Sequence, residues 1–373
     1  MPGDHSSSPD GVFAAFGPNL SERAQRVRAL SVARWGEHRA VEMVGCAGNY
    51  LDLLSRIEKV APYSEPVLIS GESGVGKELM ARAIYLLSQP RSSPFVPVNC
   101  PQFQEDNLTV SELFGHTKGS FTGAVADRRG AFDEADGGVI FLDEIADLNP
   151  GTQALLLRTL STGELKPLGA TQPHTVSVRV VSATNVPLNH LVITKHFRYD
   201  LFFRLRHFHL HVPALRERGD DWARILDFCL RRLCERYGVR KTFSRSAIRA
   251  LEGYRWPGNV RQLITLVTTG YAMADGAVIE ADDIAEQLED GALEERSPDD
   301  LLLQVIDGAK DFWQVVYQPF MERELNRSQV KAVIKRGLVV AEGHYSRLVD
   351  LMHMPAADYQ RFMDFLRHHR LKP

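Results

Sequence analysis

At 373 residues, with 44% hydrophobic side chains, 24% charged side chains and a net charge of -3, the chain is too long for one ordinary core and has the composition of a globular protein of two or three domains. That balance excludes a disordered polyelectrolyte and a globally basic surface, so any nucleic-acid contact has to be local. Four cysteines, Cys46, Cys100, Cys229 and Cys234, make no CxxC pair and have no histidine at zinc-finger spacing, which excludes a zinc cluster and predicts buried thiols in a reducing compartment.

The amino terminus, MPGDHSSSPDG, has no basic stretch followed by an apolar one, and no run approaches the ~18 apolar residues of a membrane span. A cytoplasmic protein without membrane contact is expected. Residues 1–40 pass from that Ser/Pro/Gly/Asp tract into LSERAQRVRALSVARW, enough for one short helix and too little for a sensory domain. From 41 to 218, strand-like runs alternate with helical patterns: PVLISG, PFVPVNC, GVIFLDE and VSVRVVSATN. The alternation predicts an α/β unit, a parallel sheet wrapped by helices. Residues 219–285 read as helices only, a separate helical subdomain. Positions 286–300, EQLEDGALEERSPDD, set seven acids against one arginine and read as a solvated linker. Residues 301–373 are helical again.

The chemistry concentrates in two places. In GESGVGKE, residues 71–78, Gly71, Gly74 and Gly76 let the backbone turn N–H groups toward phosphate oxygens, with Glu72, Ser73 and Val75 between them. The positive end of the helix that follows adds to this cradle, and Lys77 reaches the β and γ phosphates of a nucleotide. Glu78 stands where the general phosphate-loop pattern has Ser or Thr, so a hydroxyl ligand for Mg²⁺ is missing from that place. Mg²⁺ would then rely on phosphate, water, and the carboxylates of Asp143 and Glu144 that end the apolar strand GGVIFLDEI. Asp143 suits the metal, and Glu144 suits the task of a base for water.

These motifs stand in a longer ordered series: GESGVGKE, VNC at 98–100, SELFGHTKGSFTGA at 111–124, GGVIFLDEI, SATN at 182–185, FRYDLFFRL at 197–205, PALRER at 213–218 and WPGNVRQL at 256–263. The series resembles the AAA+ ATPase domain of bacterial enhancer-binding proteins, over residues 41 to about 290. The resemblance implies an AAA+ P-loop NTPase fold with a helical lid, ATP and Mg²⁺ as ligands, and sigma-54 RNA polymerase as the target. It makes Asn99 a switch that holds Glu144, Asn185 the first sensor and Arg261 the second, and it adds Val44 to the nucleotide site. Arg198 and Arg204 become arginines that enter a neighbouring subunit's site, which implies a homo-hexamer. Phe121, Thr122 and Gly123, in the GSFTGA hexapeptide, become the contact with sigma-54. Glycines on both sides let that loop move, and an exposed Phe121 ring would anchor it.

The chain departs from the family pattern at Thr117 (commonly an acid), Ser120 (alanine), Leu155 (lysine), Phe203 (polar or tyrosine) and Gln262 (glutamate). Thr117 and Leu155 keep an alternative open: an AAA+ DNA-binding regulator that no longer remodels sigma-54 polymerase.

Residues 344–370 read as a helix, a break at His353–Pro355 and a second helix, with Leu348, Leu351, Met352, Tyr359, Phe362 and Phe365 at helical spacing. The pattern resembles a Fis-like helix-turn-helix, implying an all-α DNA-binding domain for enhancer DNA. Residues 320–373 hold ten Lys/Arg against six Asp/Glu, and Gln360, Arg361 and Arg367 on the second helix are the candidate DNA contacts. A plain helical dimerisation or regulatory domain has the same pattern, and segment 301–340 has no assignment. With no large sensory domain in residues 1–40, control is expected from a partner protein in trans, from expression level, or from segments 1–40 and 301–340.

Overall fold

The structure is a computed structural model that describes residues 20–88, 93–100, 106–121, 123–288, 298–306, 311–321, 325, 327–341, 343–369 and 371. The expectations for residues 1–19, for Thr122 and for the middle of the acidic linker lie outside these residues. The chain forms two units, residues 1–283 and 284–373.

In the first unit the sheet is five parallel strands, β1 Val67–Ser70, β2 Phe95–Asn99, β3 Val139–Asp143, β6 Arg179–Thr184 and β7 Phe208–His211, in the order β2-β3-β6-β1-β7. Two-residue strands β4 Glu164–Leu165 and β5 His174–Thr175 make a separate hairpin. The central strands read as unbroken apolar runs because both sheet faces are covered. Val67, Ile69, Val139 and Phe141 enter one core layer, while Leu68, Ile140 and Leu142 enter the other, the alternation a pleated strand requires. Each such side chain contributes about 1.5–3 kcal/mol of burial. Strand β7 was not visible in the sequence, since its four residues, FHLH, carry two histidines and no apolar run.

The first layer is made by helices α1 Glu22–Trp35, α2 Gly48–Val60 and α3 Lys77–Leu87. Helix α1 starts where the Ser21 hydroxyl accepts the Ala24 N–H and ends at Gly36, as capping chemistry predicts. Its Ala24 and Val27 join the same core as β1, and Trp35 stacks on Tyr85 of α3 with ring centroids 5.9 Å apart. Helix α1 is therefore part of this layer, while residues 36–39 after it are exposed.

Across the sheet lie α4 Asp106–Phe114, α5 Ala131–Glu134, α6 Pro150–Thr162, α7 Leu188–Ile193 and α8 Tyr199–Leu205. The lid is α9 Asp221–Tyr237, α10 Arg245–Leu251 and α11 Asn259–Met273. It is not purely helical: Thr242–Phe243 and Val278–Ile279 form a parallel pair beside the helices. All four cysteines are free, but only Cys100 is buried; Cys46, in the irregular segment before α2, is exposed.

The second unit has its own core. Helices Pro298–Ile306 and Arg327–Val340 supply Leu301, Val305, Val330 and Ile334, packed with Leu348, Phe362 and Leu366 from helices Tyr345–Leu351 and Tyr359–His368 and with Met352, which caps the first of these. Segment 301–340 thus completes the core that two short helices cannot build alone. Tyr359 stays exposed, unlike the other apolar positions expected to pack. Among the described residues no helix is long and apolar enough to cross a membrane.

Candidate functional site

Parallel strands in register bring the separate motifs to one edge. Ser70 pairs with Thr184 and Asn99 with Asp143, so the residues that follow β1, β2, β3 and β6 meet beyond the carboxyl ends of the sheet, where open α/β sheets bind ligands. Gly71, Gly74 and Gly76 have φ of +154°, +77° and +96°, a path glycine follows without steric cost. Lys77, the first residue of α3, is buried, and its Nζ donates to the carbonyls of Gly71 and Glu72 at 3.1 and 3.3 Å.

Glu144 stands at φ +50°, one of five non-glycine residues with positive φ among those described. Strain of this kind concentrates at functional sites. Its carboxylate lies 3.4 Å from Lys77 Nζ and accepts the Asn185 backbone N–H at 3.1 Å. Among the described residues no hydrogen bond joins Asn99 to Glu144, so the expected switch contact is not made in this conformation; Asn99 lies level with Asp143 instead. Burial and the neighbouring Glu144 raise the Asp143 pKa, against the pull of Lys77. Burial, with Asp143 next, also pushes the Cys100 thiol up.

The donor set fits Mg²⁺. Two adjacent carboxylates at a strand end suit an ion that takes one or two protein carboxylates and keeps phosphate and water oxygens. No cluster of three or more acid, histidine or cysteine side chains able to cage a metal occurs among the described residues. Glu78 pairs with Arg82, whose guanidinium donates to it at 2.6 Å.

The lid reaches the phosphate loop directly. Arg261 Nη1 donates to Ser73 Oγ at 3.1 Å and the Arg261 N–H donates to the Gly74 carbonyl at 3.3 Å. Asn259, which sequence reasoning passed over, bonds to Glu72 and Ser73. Gln262 bridges the Gly258 N–H and the Tyr254 hydroxyl, and its amide makes both bonds at once. The Val44 carbonyl accepts from Arg218, a member of the buried pair Arg218–Asp221, at 2.7 Å.

Two of the predicted residues lie apart from this cluster. Arg198 is exposed and pairs with Asp200 at 2.7 Å, while exposed Arg204 donates to the Leu160 carbonyl at 2.9 Å. Tyr199 and the unusual Phe203, both exposed, lie between them in sequence, their rings 4.6 Å apart.

The GSFTGA segment is pinned at its base. Thr117 N–H and Oγ both donate to the Leu168 carbonyl, and the Gly119 N–H donates to the Ala124 carbonyl at 2.8 Å. Gly119 and Gly123, at φ +81° and +103°, have open space where a side chain would be. Phe121 is half-buried rather than fully exposed, because its ring meets His116 edge-on at 5.0 Å. Thr117 thus replaces a charge with an anchoring bond. Leu155 packs against the second core layer, where a lysine would have to extend its amine past apolar side chains.

In the second unit Gln360, Arg361 and Arg367 are exposed. The Arg361 guanidinium lies 4.0 Å from the Trp313 ring centre, and Asp364 pairs with Arg367 at 3.0 Å and accepts from Gln360.

A phosphate loop, a paired-acid strand end and a contacting helical lid define an AAA+ ATPase-type domain. Residues 43–211 match the family described as "Sigma-54 interaction domain" and residues 216–300 the "AAA+ ATPase lid domain"; the chain belongs to the bacterial enhancer-binding proteins, the sigma-54-dependent transcriptional activator family. It is 41% identical over 270 residues to the Nif-specific regulatory protein of Klebsiella pneumoniae, covering 72% of this chain and 51% of that protein. The Sigma54-dependent transcriptional regulator SfnR of Pseudomonas fluorescens is 44% identical over 233 residues, 62% of this chain and 63% of that one. The chain spans about half the length of most of the curated relatives it matches. Among solved structures, NtrX from Brucella abortus in complex with ADP superposes with a TM-score of 0.62 at 29% identity, over 88% of this chain and 70% of that one.

Proposed function

We propose that the chain is an ATP-driven activator that remodels sigma-54 RNA polymerase from the closed to the open promoter complex, working as a homo-hexamer. The observation that carries this reading is the convergence of Lys77, Glu144 and Asn185 in the unit that also presents the pinned, glycine-flanked GSFTGA loop. ATP would lie along residues 71–78, with Asn185 and Arg261 near its phosphates and Val44 flanking it. Asp143, with Glu144 beside it, would hold Mg²⁺, which when bound neutralises charge on the β and γ phosphates. Glu144 would take the proton of the attacking water. Asn99 would hold Glu144 in another state of the cycle.

Arg198 and Arg204 are exposed and hydrogen-bond on their own surface, which supports delivery to a neighbouring subunit. Arg198→Ala is expected to leave binding of a fluorescent ADP analogue intact and to lower ATP turnover by about 10³-fold or more, as trans arginines do elsewhere. Loss of binding would instead place Arg198 in its own subunit's site.

Movement of the loop would carry Phe121, Thr122 and Gly123 against sigma-54. Thr122→Ala is expected to hydrolyse ATP at the wild-type rate while forming no open complex with sigma-54 holoenzyme. Wild-type protein that hydrolyses ATP and opens no promoter would instead establish the regulator that no longer remodels polymerase. Thr117 makes an anchoring bond and Leu155 packs on the second core layer, so the fold accommodates both departures. Helices Tyr345–Leu351 and Tyr359–His368 would hold the complex to enhancer DNA through Gln360, Arg361 and Arg367, and control would come from a partner in trans, from expression level, or from segments 1–40 and 301–340. Cytoplasmic location follows from that role.

A further inference from the structure

Three chain segments that are distant in sequence meet at the side chain of Asn259. The first is the phosphate loop, the second the segment that follows β7 into the lid, and the third the start of α11. Asn259 is fully buried. Its Oδ1 accepts the Leu215 N–H at 2.8 Å, and its Nδ2 donates at 3.0 Å both to Glu72 Oε2 and to the Ser73 carbonyl. The Glu72 carboxylate is in turn held by Arg216 through its two terminal guanidinium nitrogens, Nη1 and Nη2. Hydrogen bonding from Arg216, more than burial opposes it, lowers the Glu72 pKa, so the carboxylate is ionised when the bonds form.

The backbone is shaped for this contact. Asn259 has φ +52°, a region asparagine enters more readily than most residues. The lid also presses close to the loop: a Cβ on Gly74 would lie 2.3 Å from the Gly258 carbonyl oxygen. Two residues after Asn259, Arg261 bonds to Ser73 and Gly74.

We infer that Asn259 is a positioning residue that latches the lid to the phosphate loop through Glu72 and Arg216. An amide is suited to the place because it accepts from a backbone N–H and donates to a carboxylate at once. With the latch closed, a displacement of Glu72 or Ser73 by nucleotide moves the start of α11, and Arg261 with it. The coupling needs no long pathway, since the connecting bonds are direct. The inference rests on nucleotide binding at residues 71–78.

The test uses the full chain and a fluorescent ADP analogue, with thermal unfolding recorded alongside. Wild-type protein that does not bind the analogue would overturn the nucleotide-site reading itself. Given wild-type binding, Asn259→Ala is expected to weaken affinity by about 5- to 150-fold, the usual range for coupled sites. Glu72→Gln keeps the side chain's size and is expected to weaken it as well. Because the two residues act through one contact, the double variant should lose little more than the worse single variant. Losses that multiply, or a lowered unfolding temperature with unchanged affinity, would overturn the latch and leave Asn259 a structural cap. Should Asn259→Ala fail to fold, Arg216→Gln at a more exposed position reads the same coupling: affinity falls if the latch acts through Glu72 and stays unchanged if it does not.

Discussion

Glu144→Gln is expected to lower ATP turnover by about 10²- to 10⁴-fold, the range for loss of a positioned general base, while nucleotide binding persists. Glutamine keeps the shape of the side chain, and its carbonyl oxygen still accepts the Asn185 N–H that the carboxylate accepts at 3.1 Å. What it loses is the capacity to take a proton and the attraction to Lys77 at 3.4 Å. Phosphate release measured beside binding of a fluorescent ATP analogue separates these effects. Turnover near the wild-type rate would move the base to another residue. Lost binding would mean that Glu144 holds Lys77 in place for the ground state.

The second large effect is on stability. Arg218 and Asp221 form an ion pair with side chains only 3% and 0% exposed. Asp221 also accepts the backbone N–H groups of Cys46 and Ala47, at 2.7 and 3.2 Å, just before α2 begins. Arg218 lies 3.7 Å from the Tyr50 ring centre and donates to the Val44 carbonyl. Asp221→Ala leaves a buried guanidinium without its counter-charge and two N–H groups without an acceptor. Such losses cost about 3–5 kcal/mol, to be read as a shift of the first unit's unfolding midpoint in urea. Replacing Arg218 by methionine in the same protein should recover part of the loss, because the cost arises mostly from the stranded charge. A loss below about 1 kcal/mol would mean that water reaches the pair.

The phosphate loop, the acid pair and the hexapeptide were legible in the sequence because each is a contiguous run whose chemistry depends on local spacing. The sheet's central strands were legible for a similar reason: burial on both faces demands continuous apolar residues, as in VIFL of β3. Strand β7 was not, since FHLH carries no such run and becomes a strand by pairing with β1. The left-handed backbone of Glu144 and of Asn259 was equally hidden, because asparagine only tolerates a positive φ and glutamate disfavours it, and the packing around each imposes it.

Sequence by itself determined which residues can meet phosphate, metal and water, since those capacities belong to side chains and to short backbone turns. Tertiary structure decided which of them meet one another. It set Glu144 against Lys77 and Asn185 rather than Asn99, turned the Phe121 ring onto His116, and joined Glu72 to Asn259 across 187 positions of chain. Strand order and register brought Glu144 to Lys77 and Asn185, and the packing of the lid on the phosphate loop brought Asn259 to Glu72; contacts between such distant segments leave no spacing in the sequence to read.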